Sequence, residues 1–311
     1  MFWKVATDCI VFKVNYLEKL KISPDESPTK REFLRILMSV FDPHGYIGNY
    51  TVLGKIILQD VWRSKIDWDE KLKENEQKKY TRWIKELDNV KLFQLPRCIS
   101  RQISFTNLLE LHTFSDASEQ AFGAVCYIRT IWKDGVDVSL MGSKTRVAPT
   151  KMLSIPRLEL QRFILGIRWA QTMIKSLNRI KFLSVYHWTD SSNVLSWIES
   201  EERKYSVFVA HRVSEIQEYV EQQKNVEIRY VPTKMNIADE TTKWAKPVDV
   251  APSSSWIKGP YFLQQEKATW PVKKTKTVST EELKQIYLHG FKLERYQLIK
   301  FENHSSLKPL G

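Results

Sequence analysis

Cysteine is scarce in this 311-residue chain. Cys9, Cys98 and Cys126 lie too far apart for a disulfide framework or a CxxC-type zinc module, which points to a reducing compartment, the cytoplasm or nucleus. Long apolar runs are lacking too. No uncharged stretch approaches the roughly 18 residues of a membrane span, so an integral helical membrane protein is excluded. The opening MFWKVATDCIVFKV carries charges within its apolar stretch and has no small-residue cleavage site, so secretion is not expected. Internal repeats and low-complexity tracts are absent as well.

Basic charge, by contrast, is in excess. The formal net charge is +12, from 48 basic and 36 acidic residues. It divides as +4, +3 and +5 over residues 1–100, 101–245 and 246–311, so no segment is an extreme basic module. Such an excess suits a polyanionic partner such as nucleic acid, and equally a solvated basic surface.

Hydrophobic spacing divides the chain. Phe33, Ile36, Leu37, Val40 and Phe41 recur at helical steps until Asp42-Pro43-His44-Gly45 breaks the run, and Tyr50 to Trp62 repeats the pattern. A charged stretch then leads to an amphipathic one around Trp83, Ile84 and Leu87, completing a small helical subdomain within residues 1–100. Residues 101–245 read differently. Short apolar runs at 108–116, 121–130 and 136–142 predict strands, with Lys133-Asp134-Gly135 as a hairpin turn. A long helix opens at Pro156, followed by a strand at 183–189, helices over 191–198 and around Val209 to Val220, a strand at 226–231 and a short helix near 236–244. Three strands followed by alternation predict an α/β (α+β) fold, a mixed sheet flanked by helices. Residues 246–260, rich in Pro and Ser, read as a linker. Ser279 to Glu282 reads as a capping box opening a basic helix in a polar tail.

Four carboxylates fall at the ends of these elements: Asp116, Glu159, Asp190 and Asp239. Glu159 heads an apolar face with Phe163, Ile167, Ala170 and Ile174, a costly place for a carboxylate unless a cation pairs with it. Hard oxygen donors with no cysteine cluster favour Mg²⁺ or Mn²⁺ over zinc, and two such ions about 3.5–4 Å apart suit phosphodiester hydrolysis. Plain structural roles compete with this. Asp190 and Asp239 suit helix N-caps, Asp116 suits a turn, and Glu159 can pair with Arg157, Arg162 or Arg168.

The ordering Asp, Glu, Asp, Asp on one mixed sheet resembles the ribonuclease H fold. The wording around it is closer still to one family. FSDASEQAFGAVCYIR, SKTRVAPTKMLSIPRLELQ, WTDSSNVLSWI, FVAHRVSEIQE and RYVPTKMNIADETTKW resemble the ribonuclease H-like region of Bel/Pao-type LTR retrotransposon polyproteins. TKREFLRILMSVFDPHGYIGNYTVLGKIILQDVWRSKIDWDE resembles their segment after the reverse transcriptase palm, and WIKGPYFLQQEKATWP the segment downstream. The likeness spans roughly residues 1–272. It implies a ribonuclease H-like domain at 101–245, a preceding connection region, and Asp116, Glu159, Asp190 and Asp239 as ligands of Mg²⁺ or Mn²⁺.

The resemblance also implies an RNA/DNA hybrid as partner. Lys144, Arg146, Lys151 and Arg157 would track its phosphates, and Ser118, Ser191, Ser192 and Asn193 would donate hydrogen bonds to it. The same groups would serve as a solvated basic loop and as turn caps. No Asp-Ser/Thr-Gly motif, Asp-Asp pair or downstream His/Cys module occurs, so protease, polymerase and integrase activities are not expected of this chain. A reverse transcriptase, if required, would be a separate chain. Two departures from the family pattern stand out: no His lies between His211 and Asp239, and bulky Gln161-Arg162-Phe163 follows Glu159 where small residues are usual. The function expected is cleavage of the RNA strand of hybrids. The alternative is an inactive remnant that binds nucleic acid or protein.

Overall fold

The computed structural model describes residues 1–13, 26–102, 108–149, 153–200, 205–244, 247–273 and 282, with the backbone of 285–288 and 291–294. The chain divides into two compact units. One comprises Met1–Asp190 with Asn225–Val272, the other Ser191–Lys224 with Lys273–Gly311.

In the first unit, strands β1 (Phe2–Lys4), β2 (Cys9–Val11) and β3 (Gln94–Pro96) form a small antiparallel sheet. Helices α1 (Lys30–Ser39), α2 (Gly48–Arg63), α3 (Glu74–Lys85) and α4 (Leu87–Val90) supply the expected helical segment. Thr29 and Glu32 close a reciprocal capping box on α1. Asp42 stops the run as predicted: its carboxylate accepts the Tyr46 and Ile47 amides at 2.9 Å each. Gly45 then permits contact with the central sheet. Its φ is +71°, a Cβ there would lie 1.9 Å from the Ser143 carbonyl oxygen, and Ser143 Oγ donates to Gly45 O at 2.5 Å.

The central sheet has the order β6-β5-β4-β7-β8. Strands β4 (Leu109–Ala117), β5 (Ala121–Trp132) and β6 (Gly135–Val147) run antiparallel, while β7 (Ser184–Thr189) and β8 (Val226–Tyr230) continue parallel to β4. This is the mixed sheet expected from the sequence. Helix α5 (Ile155–Ser176) carries the chain across it, with Pro156 in its first turn, where a missing amide costs nothing. A Cβ on Gly166 would sit 3.3–3.6 Å from Thr113, Ala124 and Ser115, so α5 lies close against β4 and β5.

The other face is covered by the stretch expected as a linker, 246–260, together with the residues that follow it. Val248, Val250, Trp256, Ile257, Phe262, Leu263 and Trp270 are buried. Tyr127 donates to the Trp256 carbonyl at 2.7 Å, and Trp256 Nε1 donates to the Tyr46 carbonyl at 2.7 Å. Buried Arg129 holds the carbonyls of Leu263 (2.7 Å) and Gln265 (3.0 Å) while pairing with Glu110 at 2.8 Å. Pro and Ser do set irregular backbone here, but the apolar side chains between them anchor it in the core. Residues 247–272 are a strap over the sheet.

The second unit contains α6 (Ser192–Ile198) and α7 (Val207–Gln222), the latter burying Val209, Val213, Ile216 and Tyr219. Gln217 on α7 donates to the carbonyls of Ile198 and Ser200 at 2.9 and 3.0 Å. Where a basic helix was expected, β9 (Gln285–Leu288) and β10 (Phe291–Glu294) pair antiparallel. Ile286/Leu288 and Phe291/Leu293 alternate with period two, and that pattern overrides the helix reading. The expected cap at 279–281 lies outside the described residues. Among the described residues, no helix is long and apolar enough to cross a membrane.

Candidate active site at the ends of the central strands

The site begins with strand register. Phe114 pairs with Trp188 across the parallel β4–β7 ladder, so Asp116 and Asp190, two residues further on, leave neighbouring strands in one row. Both lie at the carboxyl ends of parallel strands. Asp239 comes from a 3-10 turn, Ile237–Thr241, after β8. Asn236 docks that turn by donating to the Ser115 carbonyl at 3.0 Å. Gly123 on β5 makes room for it, since a Cβ there would fall 2.5 Å from Thr241 Oγ1. One carboxylate oxygen from each of Asp116, Asp190 and Asp239 lies within 4.8 Å of the others.

Three carboxylates this close repel one another and need positive charge. Two cations supply it. Arg162 on α5, with a side chain 1% exposed, spans two aspartates: Nη1 donates to Asp116 Oδ1 and Nη2 to Asp190 Oδ1 at 2.7 Å. Lys243, whose side chain is 49% exposed, pairs through Nζ with Asp239 Oδ2 at 2.6 Å. Thr242 donates to Asp116 Oδ2, and Thr233 to Asp190 Oδ2 at 2.9 Å. Asp239 Oδ1 is buried and has no hydrogen-bond donor. Burial, with the charges of Asp116 and Asp190 beside it, raises the Asp239 carboxyl to about 6 against the opposing pull of Lys243. Burial opposes the Lys243 ammonium, yet the aspartates hold it above its ordinary value.

Of the four expected carboxylates, three converge. Glu159 is half-buried near the start of α5, one residue past its first turn, and is not part of the group. Among the residues expected to touch nucleic acid, Ser118 closes the β4–β5 turn, accepting the Gln120 and Ala121 amides at 3.2 Å each. Ser191 caps α6 by accepting the Val194 amide at 3.1 Å, with Ser192 and Asn193 in that helix's first turn; all three belong to the second unit. Arg157 is half-buried at the start of α5, and Lys151 lies outside the described residues. Lys144 and Arg146 line a cleft of about 230 Å³ between β6 and α5, together with Gln161, Arg168 and Trp169. Lys144 Nζ stands 5.8 Å from the Trp169 ring centroid.

Reasoning from sequence missed Arg162 as a partner of the aspartates, and Thr233, Thr242 and Lys243 with it. A signal was present. Arg162 sits among Leu158, Leu160, Phe163 and Ile164 on a buried helical face, and an arginine there demands carboxylates. Phe163 itself packs into the core, its ring edge-on to His187 at 6.2 Å.

Comparison with known proteins adds the following. A ribonuclease H1, LC11, solved with an RNA/DNA hybrid is 13% identical, aligns over 43% of this chain and 92% of its own, and gives a TM-score of 0.32. The N-terminal ribonuclease H domain of a Mycobacterium tuberculosis protein, solved fused to maltose-binding protein, is 12% identical over 41% and 86%, with a TM-score of 0.31. A foamy viral protease-reverse transcriptase solved with double-stranded DNA is 13% identical over 72% and 35%, with a TM-score of 0.40. Likeness at this level says nothing about chemistry. No curated protein matches the chain. The model of the Pao retrotransposon-like RNaseH-like domain matches residues 29–191, more than half of the sequence. With this sheet order and these aspartates at its strand ends, the chain belongs to the Pao retrotransposon-like RNaseH-like domain family.

Proposed function

We propose that this domain cleaves the RNA strand of RNA/DNA hybrids with the help of Mg²⁺ or Mn²⁺ held by Asp116, Asp190 and Asp239. The observation that carries the reading is the convergence of three aspartates, from three separate elements, on one point at the strand ends. The donor set fits a hard dication: it is all carboxylate oxygen, and buried Asp239 Oδ1 has no donor to neutralise it. Such an ion would activate water and stabilise the leaving oxygen. The protein's own part is to hold the carboxylates. Thr242 and Thr233 orient Asp116 and Asp190 through the Oδ2 atoms, and Lys243 fixes Asp239. Glu159 would complete a second ion site only if its side chain moved into the group.

The cleft beside α5 suits the nucleic acid. Lys144, Arg146 and Arg168 line it with no acidic residue among the lining side chains, so phosphates would meet attraction there and Trp169 an adjacent base. The notion of a separate reverse transcriptase chain working beside this one, in the cytoplasm or nucleus, belongs to the same reading. A second reading, an inactive nucleic-acid-binding remnant, is favoured by one observation: Arg162 already bridges two of the three aspartates.

Cleavage of a labelled hybrid in Mg²⁺ and in Mn²⁺ decides between them. Metal-dependent cutting should fall at least 100-fold in both Asp116→Asn and Asp190→Asn. Salt-dependent hybrid binding with no cutting in either metal would establish the second reading instead.

A further inference from the structure

We propose that Arg162 is the resident counter-cation of the aspartate cluster, and that it competes with divalent metal for Asp116 and Asp190. The proposal rests on the reading of these aspartates as a metal site. It concerns what sets the affinity of that site, which the ligand residues alone do not determine.

Four observations carry it. First, Arg162 is buried, and guanidinium does not lose its proton in proteins, so its charge is permanent. Lys243, the other cation, is half exposed and touches only Asp239. Second, the two terminal nitrogens of the guanidinium are divided between two aspartates. One terminal nitrogen serves Asp116, the other Asp190, with the Thr189 hydroxyl 3.5 Å from the latter. Third, the oxygens of Asp116 and Asp190 are all engaged, two by Arg162 and two by Thr242 and Thr233. Only Asp239 Oδ1 has no donor. Fourth, Arg162 Nε is buried without an acceptor, so the arginine is not held by a complete hydrogen-bond shell of its own.

Charge counting gives the direction. With Arg162 and Lys243 in place, the three carboxylates are left with one net negative charge, too little to neutralise a dication. Without Arg162 they carry two, matching it. Arg162 also lies three residues after Glu159 on the same helix, so this face of α5 presents a cation to the cluster while Glu159 stays outside it. A sidechain that merely filled space would leave metal affinity unchanged or lower it on removal. A competing cation makes affinity rise.

The test measures Mn²⁺ binding to the full chain by electron paramagnetic resonance of free Mn²⁺ and by calorimetry. The proteins compared are wild type, Arg162→Gln, Arg162→Lys and the double variant Arg162→Gln/Asp190→Asn. Arg162→Gln should bind Mn²⁺ at least tenfold more tightly than wild type, Arg162→Lys should fall between, and the double variant should lose the gain. Equal or weaker Mn²⁺ binding by a folded Arg162→Gln overturns the proposal. If that variant unfolds without metal, Mn²⁺ should restore a cooperative melt and raise its Tm more than that of wild type; no restoration is also fatal. Mn²⁺ affinity tests the proposal; hybrid cleavage serves only to separate it from the nuclease reading. A protein that shows the tenfold gain yet never cuts RNA sinks the nuclease reading alone, whereas one that cuts hybrids while Arg162→Gln binds like wild type sinks this proposal alone.

Discussion

Two ways of burying an ionisable side chain stand side by side in the central sheet: a matching counter-charge and a neutral form. Glu110 and Arg129 pair at 2.8 Å with both side chains almost fully buried, and the aspartate cluster has Arg162. His187 on β7 is the neutral kind, since burial lowers it from 6.5 to about 3. The unfolded chain therefore binds a proton at this histidine below about pH 6.5 that the folded chain refuses, and stability is lost as pH falls from there towards 3. The slope due to this residue is about 1.4 kcal/mol per pH unit. Urea midpoints of wild type and His187→Phe, followed from pH 7 to pH 4, should change in the variant's favour as pH drops; parallel curves would count against it. At this scale the aspartates stood out in the sequence, because Asp116 and Asp190 close strands, and Asp239 follows one, whose apolar pattern is plain. Arg162 was not. Its partners lie 46 and 28 residues away on strands whose register no spacing reveals, and Glu159, three residues off, offered a nearer match.

Elements with a clear period were also legible. The β5–β6 turn at Lys133-Asp134-Gly135 and the start of α5 at Pro156 fall where turn and cap chemistry put them. Segments whose burial depends on distant partners were not. Trp256 reads as one aromatic in a Pro/Ser-rich stretch until the Tyr127 hydroxyl is seen donating to its carbonyl and its ring nitrogen donating to the Tyr46 carbonyl. Docking of the helical segment on β6 is testable at one residue. Gly45→Ala combines a left-handed φ with a clash against backbone, and should destabilise by about 2–4 kcal/mol. Hydrogen exchange should show the loss concentrated in α2 and β6. An unchanged urea midpoint would mean that this contact is dispensable.

For the molecule as a whole, the strap changes what counts as the domain. The composition of 246–260 suggests an end near residue 245, yet the buried side chains of 247–272 complete the core on one face of the sheet. A chain stopped at 245 should lose its cooperative thermal transition by circular dichroism and bind a hydrophobic dye. Trp256→Ala in the full chain should cost about 3–5 kcal/mol. A truncated chain that melts like the full one would show that the strap only lies on a core already complete.

The aspartates, finally, come from stretches separated by 74 and 49 residues, and the last is fixed by Lys243. During synthesis, a nascent chain that has emerged only as far as β8 carries Asp116, Asp190 and Arg162 but not the third carboxylate. Two carboxylates then face the one guanidinium of Arg162, with Asp239 and its partner Lys243 both still to come. A fragment ending before Asp239 therefore lacks one of the three carboxylates, and the cluster is complete only after every strand of the central sheet has left the ribosome.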